Sequence, residues 1–286
     1  MEIALLDENE IRYKVSRIKN LPPLPLALQR MLDILINEVG SPDEFESFIG
    51  YDQSLAARIL CAANSACYGF RGKVPDLNRA VSVVGCDEVK SICVYALMSE
   101  IFSRLNSIGR AERERLWKHA FATARIAYHI ARKRPWVPKN EAYLLGLLHD
   151  LGRVVMAVHF KDEYRSIQKL ARDRNIPTRC VESQFGIDHT LVGKWISIRW
   201  SFPEHFKAVM EFHHEPEKSP LFKPEVRIVA LANILANSKI YPEQLDDDFT
   251  RTYCQKLHIT EEEWEEYKDR MGQLWSEVDQ LWSSLE

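Results

Sequence analysis

At 286 residues and 46% hydrophobic content, the chain has enough apolar material to bury a sizeable core, as one large domain or two of ordinary size. Its formal charge of -3 rests on nearly balanced acids and bases, so no global attraction draws it to nucleic acid or to an anionic lipid surface. Met1 to Asn20 carry no signal-peptide pattern and no apolar run reaches about 18 residues, so no membrane span is expected. The six cysteines, Cys61, Cys67, Cys86, Cys93, Cys180 and Cys254, show no C-x-x-C spacing, which points to reduced thiols and a cytoplasmic protein.

In chain order, Leu21-Pro22-Pro23-Leu24-Pro25 sets an extended entry, because each proline fixes its own backbone angle and restricts its predecessor. Leu28, Met31, Leu32, Leu35 and Val39 then recur at helical spacing, and Gly40 ends the run. Ser41-Pro42-Asp43-Glu44 has the form of a capping box ahead of Phe45, Phe48 and Ile49. Asp52 can cap a helix through Leu55, Ile59 and Leu60 into Asn64-Ser65-Ala66. A loop around Gly69, Gly72 and Pro75 follows. Val81, Val84, Val89, Ile92, Cys93, Ala96 and Leu97 resume the helical pattern, with a turn at Gly85. Nothing alternates with period two, so the expected class is all-α. Asn106-Ser107-Ile108-Gly109 marks a boundary, giving an N-terminal helical subdomain over 1–108, a helical core over 109–240 and a C-terminal helical extension over 241–286 that packs on the core.

Beyond that boundary, Leu116, His119, Ala120, Thr123, Ile126, Ala127 and Ile130 share a face of a helix over 111–134. A second helix over 139–158 delivers His149 and Asp150 from the middle of an apolar segment, and a third spans 161–174. Pro177-Thr178 opens the next, with Glu182 near its first turns. Asp188 caps a helix that carries His189 in its first turn. Another runs from Pro203 to His213-His214-Glu215, where Pro216 forbids continuation. The helix from Pro224 is apolar almost all round, hence central. Thr260 and Glu263 form a capping box for a last helix. Its Trp264, Tyr267, Met271, Leu274, Val278, Leu281 and Leu285 make a coiled-coil-like seam, which either packs on its own domain or holds a homodimer together.

His119, His149, His189, His213 and His214 thus occupy inward or terminal positions on separate helices, and Asp150 adjoins His149. A buried carboxylate needs a cation or donors, and a helical bundle can bring such side chains to one point. The spacing therefore allows a metal site or a set of satisfied core contacts.

The order of His119, His149-Asp150, His189 and His213-His214 resembles the HD superfamily of helical metal-dependent phosphohydrolases. More narrowly, the chain is similar to HDOD proteins, the HD-related output domains of bacterial signalling. The likeness runs through Leu21-Pro22-Pro23-Leu24-Pro25, Asp52-Gln53-Ser54-Leu55-Ala56-Ala57-Arg58-Ile59-Leu60, Asn64-Ser65-Ala66, Leu148-His149-Asp150-Leu151-Gly152, Asp188-His189-Thr190-Leu191-Val192-Gly193, Trp200-Ser201-Phe202-Pro203 and His213-His214-Glu215-Pro216. It implies an HD-like helical bundle with a regulatory role in signal transduction. It also implies His119, His149, Asp150, His189, His213 and His214 as a metal set.

The departures are as informative. Related cyclic-dinucleotide phosphodiesterases carry a lysine where this chain has Arg153, and the motif that follows their paired histidines is replaced by Glu215-Pro216-Glu217-Lys218-Ser219-Pro220. Asn233 stands at the last metal-binding aspartate, and Arg115 precedes His119 where an acidic ligand is found in the enzymes. Two divalent ions about 4 Å apart need bridging anions, and this set offers one sure anion, Asp150. It suits a single divalent transition metal, iron, zinc, nickel, cobalt or manganese, and is poor for magnesium. Asp150 and Arg153 are the catalytic candidates if the chain is active. Arg153 would then contact a phosphate, and its other reading is a structural arginine. Two functions are therefore expected to compete. One is a non-catalytic output module acting through signalling proteins. The other is a metal-dependent phosphohydrolase acting on a nucleotide or cyclic dinucleotide.

Overall fold

The computed structural model describes residues 108–238, 245 and 247–285, with Tyr13 and scattered positions between 57 and 85. The helices expected before residue 108, and the proline-set entry at Leu21 to Pro25, otherwise lie outside the described residues. Within them, the side-chain amide of Asn64 clasps Val74, donating to its carbonyl at 3.0 Å and accepting from its N–H at 2.8 Å.

The described residues form an all-α structure with no strand. Its helices are α1 (Arg110–Arg132), α2 (Lys139–Leu148), α3 (Leu151–His159), α4 (Lys161–Arg174), α5 (Arg179–Glu182), α6 (His189–Arg199), α7 (Glu204–Phe212), α8 (Lys223–Asn237), α9 (Asp248–Lys256) and α10 (Glu261–Leu285). No single one is long and apolar enough to cross a membrane.

The apolar stripe from Leu116 to Ile130 is buried along α1 as its spacing predicts. Its main partners are α2 and α8. Gly146 permits the closest part of the α1–α2 contact, since a Cβ there would lie 2.9 Å from Ala124 Cα and from the Thr123 carbonyl. Helix α8 buries Val226, Ile228, Val229, Leu231, Ala232 and Leu235 and touches α1, α2, α7, α9 and α10, the central place its all-round apolarity implies.

The expected helix over 139–158 is broken. His149 keeps right-handed helical angles, but Asp150 moves to φ -97°, ψ 18° and α3 starts afresh. Neighbours on an unbroken helix point about 100° apart; the break lets His149 and Asp150 face the same interior point. The segment after Pro177 is also shorter than expected, a four-residue helix followed by a turn of 3-10 helix at Ser183–Phe185.

The C-terminal seam packs on its own domain. Trp264, Tyr267, Met271, Leu274 and Val278 are buried, with α10 lying against α1 and α8, so these side chains are not free to pair with a second chain. The capping box forms as read, Thr260 Oγ1 accepting from the Glu263 N–H at 3.1 Å. Arg134, 4% exposed, ties this extension to the core: it donates to the carbonyls of Leu257 at 2.6 Å and His258 at 3.0 Å and pairs with Glu263 at 2.6 Å. Removing it strands buried acceptors. Arg134→Ala is therefore expected to lower stability by about 2–4 kcal/mol in urea denaturation, with faster amide exchange along α10.

The first turns of α2, α7 and α8 bring together Glu141, His205 and Glu225. His205 Nε2 is 3.5 Å from Glu141 Oε1, and Glu225 Oε2 is buried without a hydrogen-bond partner. Burial pushes both carboxyls above their ordinary values, and the Glu225 charge adds to the rise at Glu141. Each carboxyl thus binds its proton more tightly folded than unfolded. Their contribution to stability is complete below the ordinary carboxylate range and is lost as pH rises through the raised folded values. Glu225→Gln should match the wild type in acid and exceed it in stability near neutrality. A gap that does not widen with pH in parallel urea titrations would contradict this.

Candidate metal centre

The HD doublet, the start of α6 and the end of α7 meet at one buried point. Asp150 sits at its middle. Its Oδ1 lies 3.3 Å from His189 Nε2 and 3.6 Å from His213 Nε2. Its Oδ2 lies 3.6 Å from both His119 Nε2 and His149 Nε2. His214 Nε2 completes the group at 3.2 Å from His189 Nε2. The structure therefore brings together all six residues of the metal set implied by the resemblance, together with Arg153.

The ring orientations are fixed from outside. His149 Nδ1 donates to the Gly146 carbonyl at 2.7 Å and His213 Nδ1 to the Val209 carbonyl at 3.0 Å. A carbonyl only accepts, so in both rings the proton sits on Nδ1 and the Nε2 lone pair faces inward. His189 Nδ1 is likewise held by Glu182, which also accepts the His189 backbone N–H at 3.1 Å. Outer partners that set the tautomer in this way are a recurring feature of metal-ligating histidines.

Electrostatics keep most of these rings neutral. Burial pulls His119 down to about 3, only partly opposed by the Asp150 charge. Burial also lowers His149, His213 and His214. At His189, burial and the Arg153 charge act downward, but Glu182 and Asp150 outweigh them and leave the ring above its ordinary value. Burial pushes the Asp150 carboxyl upward; Arg153 and the surrounding imidazoles overcome it and hold the group well below the usual range.

These groups fit a transition-metal ion. His149 Nε2 and Asp150 Oδ1 are buried with no hydrogen-bond partner, which leaves two ligand-type atoms in the interior unsatisfied by the protein. His189 Nε2 stands 3.4 Å from His213 Nε2 and 3.2 Å from His214 Nε2. Two nitrogens each about 2.1 Å from one ion lie roughly 3.0–3.4 Å apart. A second trio, His119, His149 and Asp150, also has its ligand atoms within 4.8 Å of one another.

Arg153 and Glu182 complete the surroundings. Arg153, 8% exposed, donates Nε to Asp150 Oδ2 at 2.9 Å, and Nη1 to Glu182 Oε1 at 2.7 Å and Thr178 Oγ1 at 2.5 Å. It is buried, as the structural reading expects, and it also lines the cavity beside the centre. Glu182, pushed down to about 2 because His189 and Arg153 outweigh its burial, has its part through contacts the sequence conceals. Its spacing marks only a helix start, and its partners Arg153 and His189 lie far along the chain or beyond a turn.

A cavity of about 160 Å³ opens onto the centre. It is lined by Asp150, Arg153, His213 and His214 of the centre and also by Arg115, Arg179, Asn233 and Asn237. Asn233 and Asn237 are joined by a 3.0 Å side-chain bond, so where the enzymes' aspartate is expected this wall offers neutral amides. Arg115 is held in a two-point pair by Glu112.

The glycine after the HD doublet is dictated by this assembly. Helices α3 and α6 cross so closely that a Cβ at Gly152 would lie 1.9 Å from the His189 carbonyl oxygen and 2.9 Å from the Gly193 nitrogen. Both obstacles are backbone and cannot swing aside. Gly152→Ala should push α6 away, lowering stability by about 1–3 kcal/mol or more and weakening metal retention along with it. A variant that keeps wild-type stability and metal affinity would contradict the crossing.

Known proteins agree with this architecture. A protein of Treponema pallidum (strain Nichols), itself uncharacterised, is 27% identical over 222 residues, covering 77% of this chain, which spans 42% of that relative's length. The crystal structure of an HDOD domain protein of unknown function from Geobacter sulfurreducens superposes with a TM-score of 0.82 at 24% identity, covering 96% of this chain and 97% of the other. A Shewanella amazonensis SB2B protein provisionally named a phosphohydrolase matches with a TM-score of 0.68 at 19% identity, over 96% and 98% of the two chains. The HDOD domain family matches residues 21–216, more than half of the sequence, and with the HD-like helical fold this establishes that the chain belongs to the HDOD family.

Proposed function

We propose that this chain is a regulatory output module of bacterial signal transduction whose buried centre binds one divalent transition metal and whose output passes to a protein partner, without hydrolytic turnover. The observation that carries the reading is the make-up of the centre. Five imidazoles surround one carboxylate, and the second nearby carboxylate, Glu182, is turned outward onto His189 Nδ1 and Arg153. His189, His213 and His214 with Asp150 would hold the ion, while His119 and His149 flank it.

Such an ion supplies Lewis acidity and lowers the pKa of bound water. Hydrolysis also needs an acid for the leaving group and room for the substrate. The remaining carboxylate on the cavity wall, Asp247, caps α9 by accepting the Thr250 N–H at 2.7 Å. The cavity of about 160 Å³ is below the roughly 300–1,000 Å³ of ordinary ligand pockets.

A second reading, metal-dependent hydrolysis of a small phosphate ester, draws support from Arg115 and Arg179 on the cavity wall. Metal analysis of the purified chain, with hydrolysis assays on bis(p-nitrophenyl) phosphate and on cyclic dinucleotides, separates the two. The expected result is about one ion per chain and turnover no greater than that of Asp150→Ala. Metal-dependent turnover that disappears in Asp150→Ala would overturn the non-catalytic reading.

A further inference from the structure

The donor atoms of the centre fall into two trios, His189 with His213 and His214, and His119 with His149 and Asp150, and the shorter contact of Arg153 falls on the second. On the Oδ1 side, His189 and His213 lie 3.3 and 3.6 Å from an oxygen with no hydrogen-bond partner, and His214 stands beside His189. On the Oδ2 side, His119 and His149 gather around an oxygen already taken by Arg153 Nε at 2.9 Å.

We propose that Arg153 is the residue that sets the metal count: its guanidinium stands in for a second cation, and without it the trio of His119, His149 and Asp150 becomes a second metal site. The inference rests on the single-metal reading above and deepens it.

The charge balance supports this. Asp150 and Glu182 are anions and Arg153 is a cation, so the three together carry one net negative charge. One divalent ion leaves the centre with a single positive charge, whereas two would leave it with three, all within a few ångströms in a buried space. The guanidinium is also firmly held. Nη1 bonds both Glu182 and Thr178, and Nη2 reaches to 3.5 Å from His189 Nε2. A second ion entering beside Oδ2 would have to displace a bond from a charge that cannot deprotonate and cannot swing to solvent. A plain structural arginine would make the Thr178 and Glu182 contacts equally well; contact with Asp150 Oδ2 is the feature that ties Arg153 to metal number.

The test is the number of ions per chain, measured by elemental analysis and by titration with Mn²⁺ or Co²⁺ on the full chain. Wild type, Arg153→Met, Arg153→Lys and Arg153→Met/His119→Ala are compared, with folding checked by circular dichroism. Arg153→Gln keeps an amide donor for Glu182 and takes the place of Arg153→Met should that variant not fold. The wild type is expected to bind one ion. Arg153→Met should bind two, the second at least about a hundredfold more tightly than any second ion in the wild type. Arg153→Lys, which keeps the charge, should stay at one, and Arg153→Met/His119→Ala should return to one. A folded Arg153→Met or Arg153→Gln that binds a single ion overturns this inference and leaves the single-metal reading standing. A wild type that binds no ion, or two, overturns the single-metal reading itself.

Discussion

An ionised carboxylate in the middle of a helical core is the constraint on which this structure depends. Asp150 is placed among rings that burial keeps mostly neutral, so it must be compensated by a cation, by donors, or by both. Arg153 supplies part of that compensation from one helical turn away. The histidines instead turn Nε2 atoms toward Asp150 that suit a cation at the same point, in directions set from behind by Gly146, Val209 and Glu182. Because those anchors are backbone carbonyls or a buried acid, the centre is organised before anything binds to it, and the helices serve as its rigid frame.

The same constraint accounts for features of the fold that look incidental. The break between α2 and α3 turns two consecutive residues toward one point. Gly146 lets α1 approach the strand of chain that carries His149, and Gly152 lets α6 bring His189 across α3. The short helix α5 exists in a place where Glu182 can meet both Arg153 and His189. Each of these is a local departure from ideal helix packing, and each one moves a ligand-type or compensating atom inward.

Much of this was legible in the sequence. The helical periodicity of α1, α4 and α10 is strong because each buries a regular stripe, α8 is marked by its all-round apolarity, and the residues His119, His149, Asp150, His189, His213 and His214 stood out as polar groups at inward or terminal positions. The helix break was not legible, since apolar residues flank His149 and Asp150 on both sides from Leu144 to Val155 and continuous helical spacing hides a change of direction. The role of Glu182 was hidden too: 29 residues separate it from Arg153, and an acid in a first helical turn is ordinary on its own. Arg153 had two readings from sequence, and only the three-dimensional arrangement shows its contact with Asp150. The seam on α10 was equally ambiguous, because spacing reveals that a face is apolar and not which surface covers it.

Asp150 and the inward-facing imidazoles are proposed to form a nitrogen-rich centre for a single ion. X-ray absorption at the metal edge of the purified wild-type chain tests it most directly. A first shell dominated by imidazole nitrogen with one or two oxygens, and no metal–metal scattering, is the predicted result. A metal–metal vector near 3.5–4 Å, or a shell of oxygen ligands without imidazole, would contradict it.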